Sequence, residues 1–172
     1  MKRNIAAVAL IILFFILQST LFQTLHFGGI SPNLLIILTA SFGFMCGKKY
    51  GLVVGFFCGL LTDILFGNVI GLYALIYMYI GYANGFFNSI FYQNDIKLPM
   101  ILIMISDAVY GFVCYILLFL LQGKFNIGYY FSTIIFPEMI YTIGITIILY
   151  PFILWINTIC EETEKGSDQR FV

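Results

Sequence analysis

Residues 43–67 read GFMCGKKYGLVVGFFCGLLTDILFG, and this stretch decides how the chain folds. A glycine stands at every fourth position from Gly43 to Gly59, and the same register continues through Asp63 to Gly67. Because residues four apart lie on one face of an α-helix, these glycines form a single stripe. In lipid, such stripes let two helix backbones approach closely and gain van der Waals contact. The stretch therefore predicts a helix that packs tightly within a membrane.

The composition of the whole chain indicates a membrane protein. Of its 172 residues, 62% are hydrophobic and 9% are charged, and the mean hydropathy is +1.02. A soluble domain carries about 25% charged residues. Since a spanning helix needs ~20 residues, the chain has room for about six spans and for no sizeable domain outside the bilayer. We therefore predict an all-α integral membrane bundle of six transmembrane helices.

Apolar runs and their flanking residues define the six predicted spans. The first follows Lys2 and Arg3, and we interpret it as a retained helix because no small-x-small cleavage site follows it. At the start of the second, Pro32 suits the first helical position and Ser31 suits the N-cap. The second and third spans are short, so we expect them either to thin the bilayer or to be shielded by longer neighbours. The six predicted spans are residues 5–25, 32–46, 50–66, 69–91, 99–121 and 133–158.

The basic residues predict the orientation, because lysine and arginine collect in cytoplasmic loops. With the N-terminus inside, only Lys124 falls on the outer side. The other basic residues all fall on the cytoplasmic side: Lys2, Arg3, Lys48, Lys49, Lys97, Lys165 and Arg170. A chain of five or seven spans would place part of this set outside. We therefore predict cytoplasmic N- and C-termini, a single transmembrane domain at residues 1–160 and a short cytoplasmic tail at residues 161–172.

Two sets of residues are candidate sites within the predicted bundle. The first is a stripe for helix packing or partner docking: Gly51, Gly55, Gly59, Asp63, Gly81 and Gly85. It serves either to pack helices inside the bundle or to dock a membrane helix of another protein. The second is a candidate intramembrane polar site: Asp63, Tyr73, Asp107 and Glu138.

The three acids of this polar site need compensation in a bilayer. A carboxylate near the centre of a span costs about 2.5–3.5 kcal/mol on insertion scales. The predicted spans contain no lysine or arginine, so we expect each acid to be protonated, hydrogen-bonded to a nearby asparagine or tyrosine, or paired with a group from another molecule. A proton or ion pathway is the alternative. Since the acids lie on three helices at different predicted depths, the pattern favours hydrogen bonding and partner contact.

No pattern typical of an enzyme occurs in the sequence. The only histidine is His26, and the four cysteines form no CxxC pair, so an ordinary zinc site is excluded. The sequence contains no P-loop, no dinucleotide-binding fingerprint, no catalytic triad pattern and no basic patch for nucleic acid. We therefore expect no catalytic activity, no cofactor and no nucleic-acid partner.

Three motifs occur in a specific order and spacing. They are PNLL at residues 32–35, GKKYGLVVGFFCGLLTD at residues 47–63, and GLYAL at residues 71–75 followed by Tyr77, Gly81, Tyr82 and Gly85. In this arrangement, which covers nearly the whole chain, the sequence resembles the MreD family of bacterial rod-shape membrane proteins.

The resemblance implies a non-catalytic scaffold in the bacterial cytoplasmic membrane. It implies that the protein binds the bitopic protein MreC and works with the MreB filament, the glycosyltransferase RodA and an elongation transpeptidase, so that peptidoglycan is inserted along the length of the cell. The alternative is the substrate-binding S component of an energy-coupling-factor vitamin transporter, with a pocket lined by Asp63, Tyr73 and Glu138. The Ala-x-x-x-Ala docking patch typical of such subunits is absent from residues 1–25, which favours the scaffold.

Overall fold

Helices account for nearly all of the residues that the structure describes. A computed structural model describes residues 2–24, 31–67, 70–90, 96–118 and 127–168. None of these residues forms a strand, which confirms the predicted all-α class. The helices are α1 Lys2–Thr24, α2 Leu34–Cys46, α3 Lys48–Phe66, α4 Leu72–Asn84, α5 Lys97–Leu118, α6 Ile127–Tyr130 and α7 Phe136–Asp168. A 3-10 segment, Gly85–Ile90, follows α4, and a π-helical segment, Phe131–Ile135, joins α6 to α7.

Helix α2 lies at the centre of the bundle. Every residue from Leu34 to Met45 is buried, and the helix contacts α1, α3, α4, α5 and α7. A helix that is apolar on all sides is expected to be buried on all sides. Its 13 residues rise only about 20 Å, which is less than the ~30 Å of hydrocarbon in a bilayer. The longer helices around α2 therefore shield it from lipid.

The start of α2 differs from the prediction that Ser31 caps it and Pro32 opens it. Asn33 is the N-cap, and its side-chain oxygen accepts a hydrogen bond from the backbone N–H of Ile36 at 3.2 Å. Asparagine is among the strongest N-cap residues because its short side chain reaches the free donors of the first turn. Leu34 is consequently the first helical residue.

Only Gly47 separates α2 from α3. Its φ of 88° lies in the region that side chains other than glycine rarely adopt. This one-residue turn places Lys48 and Lys49 in the first turn of α3, whereas the sequence predicts a helix that begins at residue 50.

Contacts between helix ends show that distant parts of the chain meet at one end of the bundle. The Tyr50 hydroxyl donates to the side-chain oxygen of Asn4 at 2.6 Å. The Cys46 thiol donates to the side-chain oxygen of Asn157 at 3.3 Å. The start of α1, the α2–α3 turn and the last third of α7 therefore lie together. We call this end the basic end, because several basic residues lie there, among them Arg3, Lys48, Lys49 and Lys97.

Helix α5 also begins at the basic end, because it runs antiparallel to α4. The Asn84 amide, at the end of α4, donates to the Ser106 hydroxyl at 2.7 Å. Earlier on α4, Ile76 and Ile80 pack against Cys114, which lies further along α5. Lys97 therefore lies beyond Ser106, on the side where α4 ends.

Three helical stretches within the described residues are long and apolar enough to cross a membrane: Arg3–Thr20, Lys97–Leu117 and Gly128–Glu161. Their outward faces carry large apolar side chains, among them Ile12, Ile105 and Ile148, which are all exposed. Such faces suit lipid rather than water as the surrounding solvent.

Several predicted boundaries differ from the observed ones. The predicted fourth span continues to residue 91, but α4 ends at Asn84 and a 3-10 segment follows. The predicted sixth span ends at residue 158, but α7 continues to Asp168, so residues 161–168 are helical. The division into a domain at residues 1–160 and a tail at residues 161–172 stays a prediction. Three residues named in the sequence analysis lie outside the described ranges: His26, Lys124 and Arg170.

Candidate functional site: a glycine interface and a buried polar cluster

Helices α3 and α4 pack against each other through their glycine faces. We call this contact the glycine interface, and its members are Gly51, Gly55 and Gly59 of α3, Gly81 of α4 and Gly85 just after α4. A Cβ atom at Gly55 would clash with the backbone carbonyl of Tyr77, and one at Gly81 with the backbone carbonyl of Gly51. Because the clashing atoms belong to the backbone, no side-chain rotation would relieve the contact.

The glycine interface continues beyond α3 and α4 at the basic end. A Cβ atom at Gly43 of α2 would lie 2.5 Å from the Gly81 carbonyl oxygen, and one at Gly85 would clash with the backbone of Lys48. The three helices therefore cover one another's glycine faces. The space that a Cβ atom would occupy at these glycines is thus filled by a neighbouring helix of the same chain.

Asp63 caps the N-terminus of α4 from the neighbouring helix. Its two carboxylate oxygens accept hydrogen bonds from the backbone N–H groups of Tyr73 and Ala74, both at 2.9 Å. The N-cap residue of α4 is Gly71, which has no side chain to satisfy these donors. A carboxylate in this position also interacts favourably with the positive end of the helix dipole. Asp63 is only 1% exposed, and its partner is the backbone of α4 rather than a tyrosine hydroxyl.

A second group of polar side chains meets where α2, α4, α5 and α7 pack together. We call it the polar cluster, and its members are Asn33, Tyr77, Asp107, Tyr110, Glu138 and Thr142. The Tyr77 hydroxyl donates to the Asn33 side-chain oxygen at 2.7 Å, and the Asn33 backbone N–H donates to the Thr142 hydroxyl at 3.3 Å. These bonds join α4, α2 and α7. The ring of Tyr110, from α5, meets the Tyr77 ring edge-on at 5.4 Å between centroids.

Asp107 is the buried acid of the polar cluster that lacks a well-formed partner among the described residues. It is 2% exposed, and neither carboxylate oxygen has a well-formed hydrogen bond to any described residue. The Thr142 side chain faces this carboxylate, and Glu138 lies close enough for the two acids to interact electrostatically. Asp107 and Glu138, which the sequence places on different helices, therefore lie close to each other across the α5–α7 contact.

The structure divides the predicted polar site into two parts. Asp63 lies at the α3–α4 contact, whereas Asp107 and Glu138 lie between α5 and α7. Tyr73 links the two parts, since its backbone N–H bonds to Asp63 and its ring lies 6.2 Å from that of Tyr110.

Sequence reasoning missed the central role of Asn33. Its position directly before the first residue of an apolar run is typical of an N-cap and was the available signal. The contact of Asn33 with Thr142, which is 109 positions later, has no local signal in the sequence. Its bond to Tyr77 likewise depends on tertiary packing.

The chemistry available to the polar cluster is that of hydrogen bonding and buried charge. Across the described ranges, no group of three or more His, Cys, Asp and Glu side chains is arranged to hold a metal ion. The bonded members fix α2, α4 and α7 relative to one another, because each bond requires a particular helix position.

Comparison with known proteins identifies the family. The model of the rod shape-determining protein MreD matches residues 1–157, a range that includes the glycine interface and the polar cluster. No match was found among curated proteins or among solved structures. Proteins of the matched family are membrane proteins of the system that determines rod shape. Since the match covers most of the chain, the chain belongs to the MreD family.

Proposed function

We propose that the protein is a non-catalytic scaffold subunit of the bacterial cell-elongation complex. In this role it links MreC and the MreB filament to peptidoglycan synthesis by RodA and an elongation transpeptidase, and so regulates cell shape. The observation that carries the proposal is the family match over residues 1–157. A scaffold must hold a fixed shape for its partners, and the glycine interface and the polar cluster both support such rigidity.

The proposed scaffold crosses the cytoplasmic membrane six times, with both termini in the cytoplasm. The contact of Tyr50 with Asn4 and that of Cys46 with Asn157 support this arrangement, because they bring residues near both termini to the same end of the bundle. A chain that crosses the membrane an even number of times has both termini on the same side. The excess of lysine and arginine at the basic end favours the cytoplasm as its compartment.

Cysteine labelling tests this topology. In a variant without the native cysteines, Lys49→Cys and Asp168→Cys are introduced one at a time. We expect a membrane-impermeant maleimide to label both positions only after the cytoplasmic face is made accessible. Labelling of the two positions from opposite faces would contradict six spans.

The transporter subunit suggested as the alternative gains no support from Asp63. In such a subunit Asp63 would line an open pocket, but its carboxylate is bonded to the backbone of α4 and is almost fully buried. Native mass spectrometry of the purified protein separates the two functions. Retention of MreC supports the scaffold, whereas a stoichiometric bound vitamin would support the transporter subunit.

Depletion of the protein from its host cells is the most direct test of the proposed function. We expect rod-shaped cells to become round, because peptidoglycan is no longer inserted along the cell length, and we expect the wild-type protein to restore the rods. The measurement is cell width and length by microscopy, with an immunoblot of the membrane fraction as a check on protein level. Cells that keep their rod shape after depletion would overturn the proposal.

A further inference from the structure

A pocket opens at the basic end, between the α2–α3 turn and the 3-10 segment after α4. Its volume is about 550 Å³. The side chains that matter for its chemistry are Lys48 and Lys49 from the first turn of α3, Tyr50 next to them, and Phe86 and Ser89 from the 3-10 segment. The pocket is separate from the polar cluster but touches one end of the glycine interface, since Gly85 also lines it. The proposed scaffold role does not depend on it.

The pocket is cationic. Its lining includes two lysines and no acidic residue, and both lysine side chains are exposed. A third positive charge lies beside it, since the Arg3 guanidinium is 4.4 Å from the centroid of the Tyr50 ring. Charges of one sign gathered around a concave surface concentrate counter-ions of the opposite sign. The pocket therefore suits an anion.

Asn88 removes a competing negative charge from the pocket. Its amide donates to the backbone carbonyls of Phe44 and Met45, both at 2.8 Å. Those carbonyls belong to the last turn of α2, where the helix dipole places partial negative charge. Because the Asn88 amide is bonded to these two carbonyls, their partial negative charge offsets less of the positive potential that the lysines create in the pocket.

An exposed apolar strip continues from the cationic pocket along the 3-10 segment. Phe86, Phe87 and Ile90 are between 41% and 52% exposed. The Lys48 ammonium lies 3.6 Å from the centroid of the Phe86 ring, so positive charge and apolar surface are in direct contact. Tyr82 supports this strip by packing edge-on against Phe86 at 5.1 Å.

We propose that this pocket binds the headgroup of an anionic phospholipid whose acyl chains lie along Phe86, Phe87 and Ile90. A phosphate group matches the two lysines, and basic pockets between membrane helices bind anionic headgroups in this way. A free phosphate ion would match the charge equally well. The apolar strip beside Lys48 favours the amphiphile, because a small ion would leave that strip unused.

Lipid retention measured by native mass spectrometry tests this proposal. The full-length protein is released from nanodiscs that contain phosphatidylglycerol and phosphatidylcholine in equal amounts. We expect the wild type to retain phosphatidylglycerol preferentially, and the double variant Lys48→Gln with Lys49→Gln to lose about tenfold or more of that preference. Lys97→Gln is the matched control, because Lys97 lies at the same end but does not line the pocket; it should keep the preference of the wild type.

Two further measurements decide between a lipid and a free anion. Phe86→Ser with Phe87→Ser should weaken retention of phosphatidylglycerol, because the variant lacks the apolar strip but keeps both lysines. Inorganic phosphate at millimolar concentration should not displace the lipid.

Equal preference for phosphatidylglycerol in the wild type and the lysine variant would overturn the proposal, and so would complete displacement of the lipid by phosphate. If the double variant does not fold, Lys49→Gln alone and a sodium chloride titration of the wild type provide the same comparison. A preference for phosphatidylglycerol that is unchanged in both measurements would also overturn the proposal.

Discussion

Asp63 and Asp107 are both buried acids on helices of the same bundle, but their surroundings differ. Both oxygens of Asp63 accept hydrogen bonds from the backbone of α4. Neither oxygen of Asp107 has a well-formed hydrogen bond within the described residues, and a second acid, Glu138, lies nearby. Asp63 thus stabilises the contact of two helices, whereas Asp107 is held in place by the packing around it.

This difference separates a structural acid from a functional candidate. Buried polar groups in proteins are nearly always hydrogen-bonded, so an exception requires an explanation. Asp63 is explained by the α4 N-terminus that it caps. Asp107 is not explained by its contacts within the described chain, which makes it and Glu138 the better candidates for a role in the proposed scaffold function. Four substitutions test the helix contacts around the two acids and the contrast between them, in order of decreasing effect on stability.

Gly55→Leu should have the largest effect on stability. A leucine side chain would meet the backbone of Tyr77 across the glycine interface, and backbone cannot move aside without separating α3 from α4. We expect the free energy of unfolding to fall by at least ~3 kcal/mol, or the protein to fail to fold. The measurement is unfolding by sodium dodecyl sulfate in mixed micelles, followed by circular dichroism.

Gly144→Leu is the matched control for Gly55→Leu. Gly144 also lies within a helix, but a Cβ atom there would have no neighbour within 4 Å. We expect this variant to unfold at the same detergent concentration as the wild type. Equal stability of the two leucine variants would show that the close contact of α3 and α4 does not stabilise the bundle.

Asp63→Ala should have the next largest effect. It leaves the backbone N–H groups of Tyr73 and Ala74 without acceptors in a buried position. We expect a loss of ~2 kcal/mol, because hydrogen bonds to a charged group contribute more than neutral ones and an N-cap alone contributes about 1. Asp63→Asn keeps one acceptor oxygen and should lose about half as much. If both variants match the wild type in the same unfolding measurement, Asp63 does not cap α4.

Tyr77→Phe should have a smaller effect, which tests the bonded part of the polar cluster. The substitution removes the hydroxyl that donates to Asn33 at 2.7 Å and keeps the ring that packs on Tyr110. We expect a loss of ~1 kcal/mol, the usual contribution of one neutral hydrogen bond. Tyr79→Phe is the control, because Tyr79 lies on the same helix and is 66% exposed. A loss in the control as large as that of Tyr77→Phe would contradict a specific role for the bond to Asn33.

The sequence predicted the helical class and the close packing of small residues, because both depend on local patterns. Glycines four residues apart form a stripe on any helix, so the tight contact of Gly55 and Gly59 was foreseeable. The identity of the helix that packs against this stripe was not foreseeable, because it depends on the path of the chain through the one-residue turn at Gly47. The shortness of α4 was missed because Gly85–Ile90 are as apolar as the helix before them.

The candidate polar site was harder to predict than the fold. The sequence shows that Asp63, Asp107 and Glu138 have no lysine or arginine partner within the predicted spans. It does not show which of these acids is hydrogen-bonded to another kind of group. Asp63 is satisfied by backbone N–H groups, and backbone donors do not appear in a sequence pattern. The proximity of Asp107 to Glu138 depends on how α5 packs against α7.

Asp107→Asn should have the smallest effect on stability, and one of the opposite sign. The substitution keeps the shape of the side chain and replaces an acid that has neither a base nor a well-formed hydrogen bond within the described residues. We expect the free energy of unfolding to be unchanged or to rise by up to ~1 kcal/mol, because the amide cannot ionise, whereas the buried acid is either charged without a partner or has to be kept protonated. Since the same substitution at Asp63 is expected to lower stability, the pair of asparagine variants compares the two acids directly. If Asp107 serves the proposed scaffold function, the Asp107→Asn protein should be present in the membrane at the wild-type level and still fail to restore rod shape in depleted cells. A loss of stability as large as that of Asp63→Asn would instead make Asp107 a structural acid, and the contrast between the two sites would disappear.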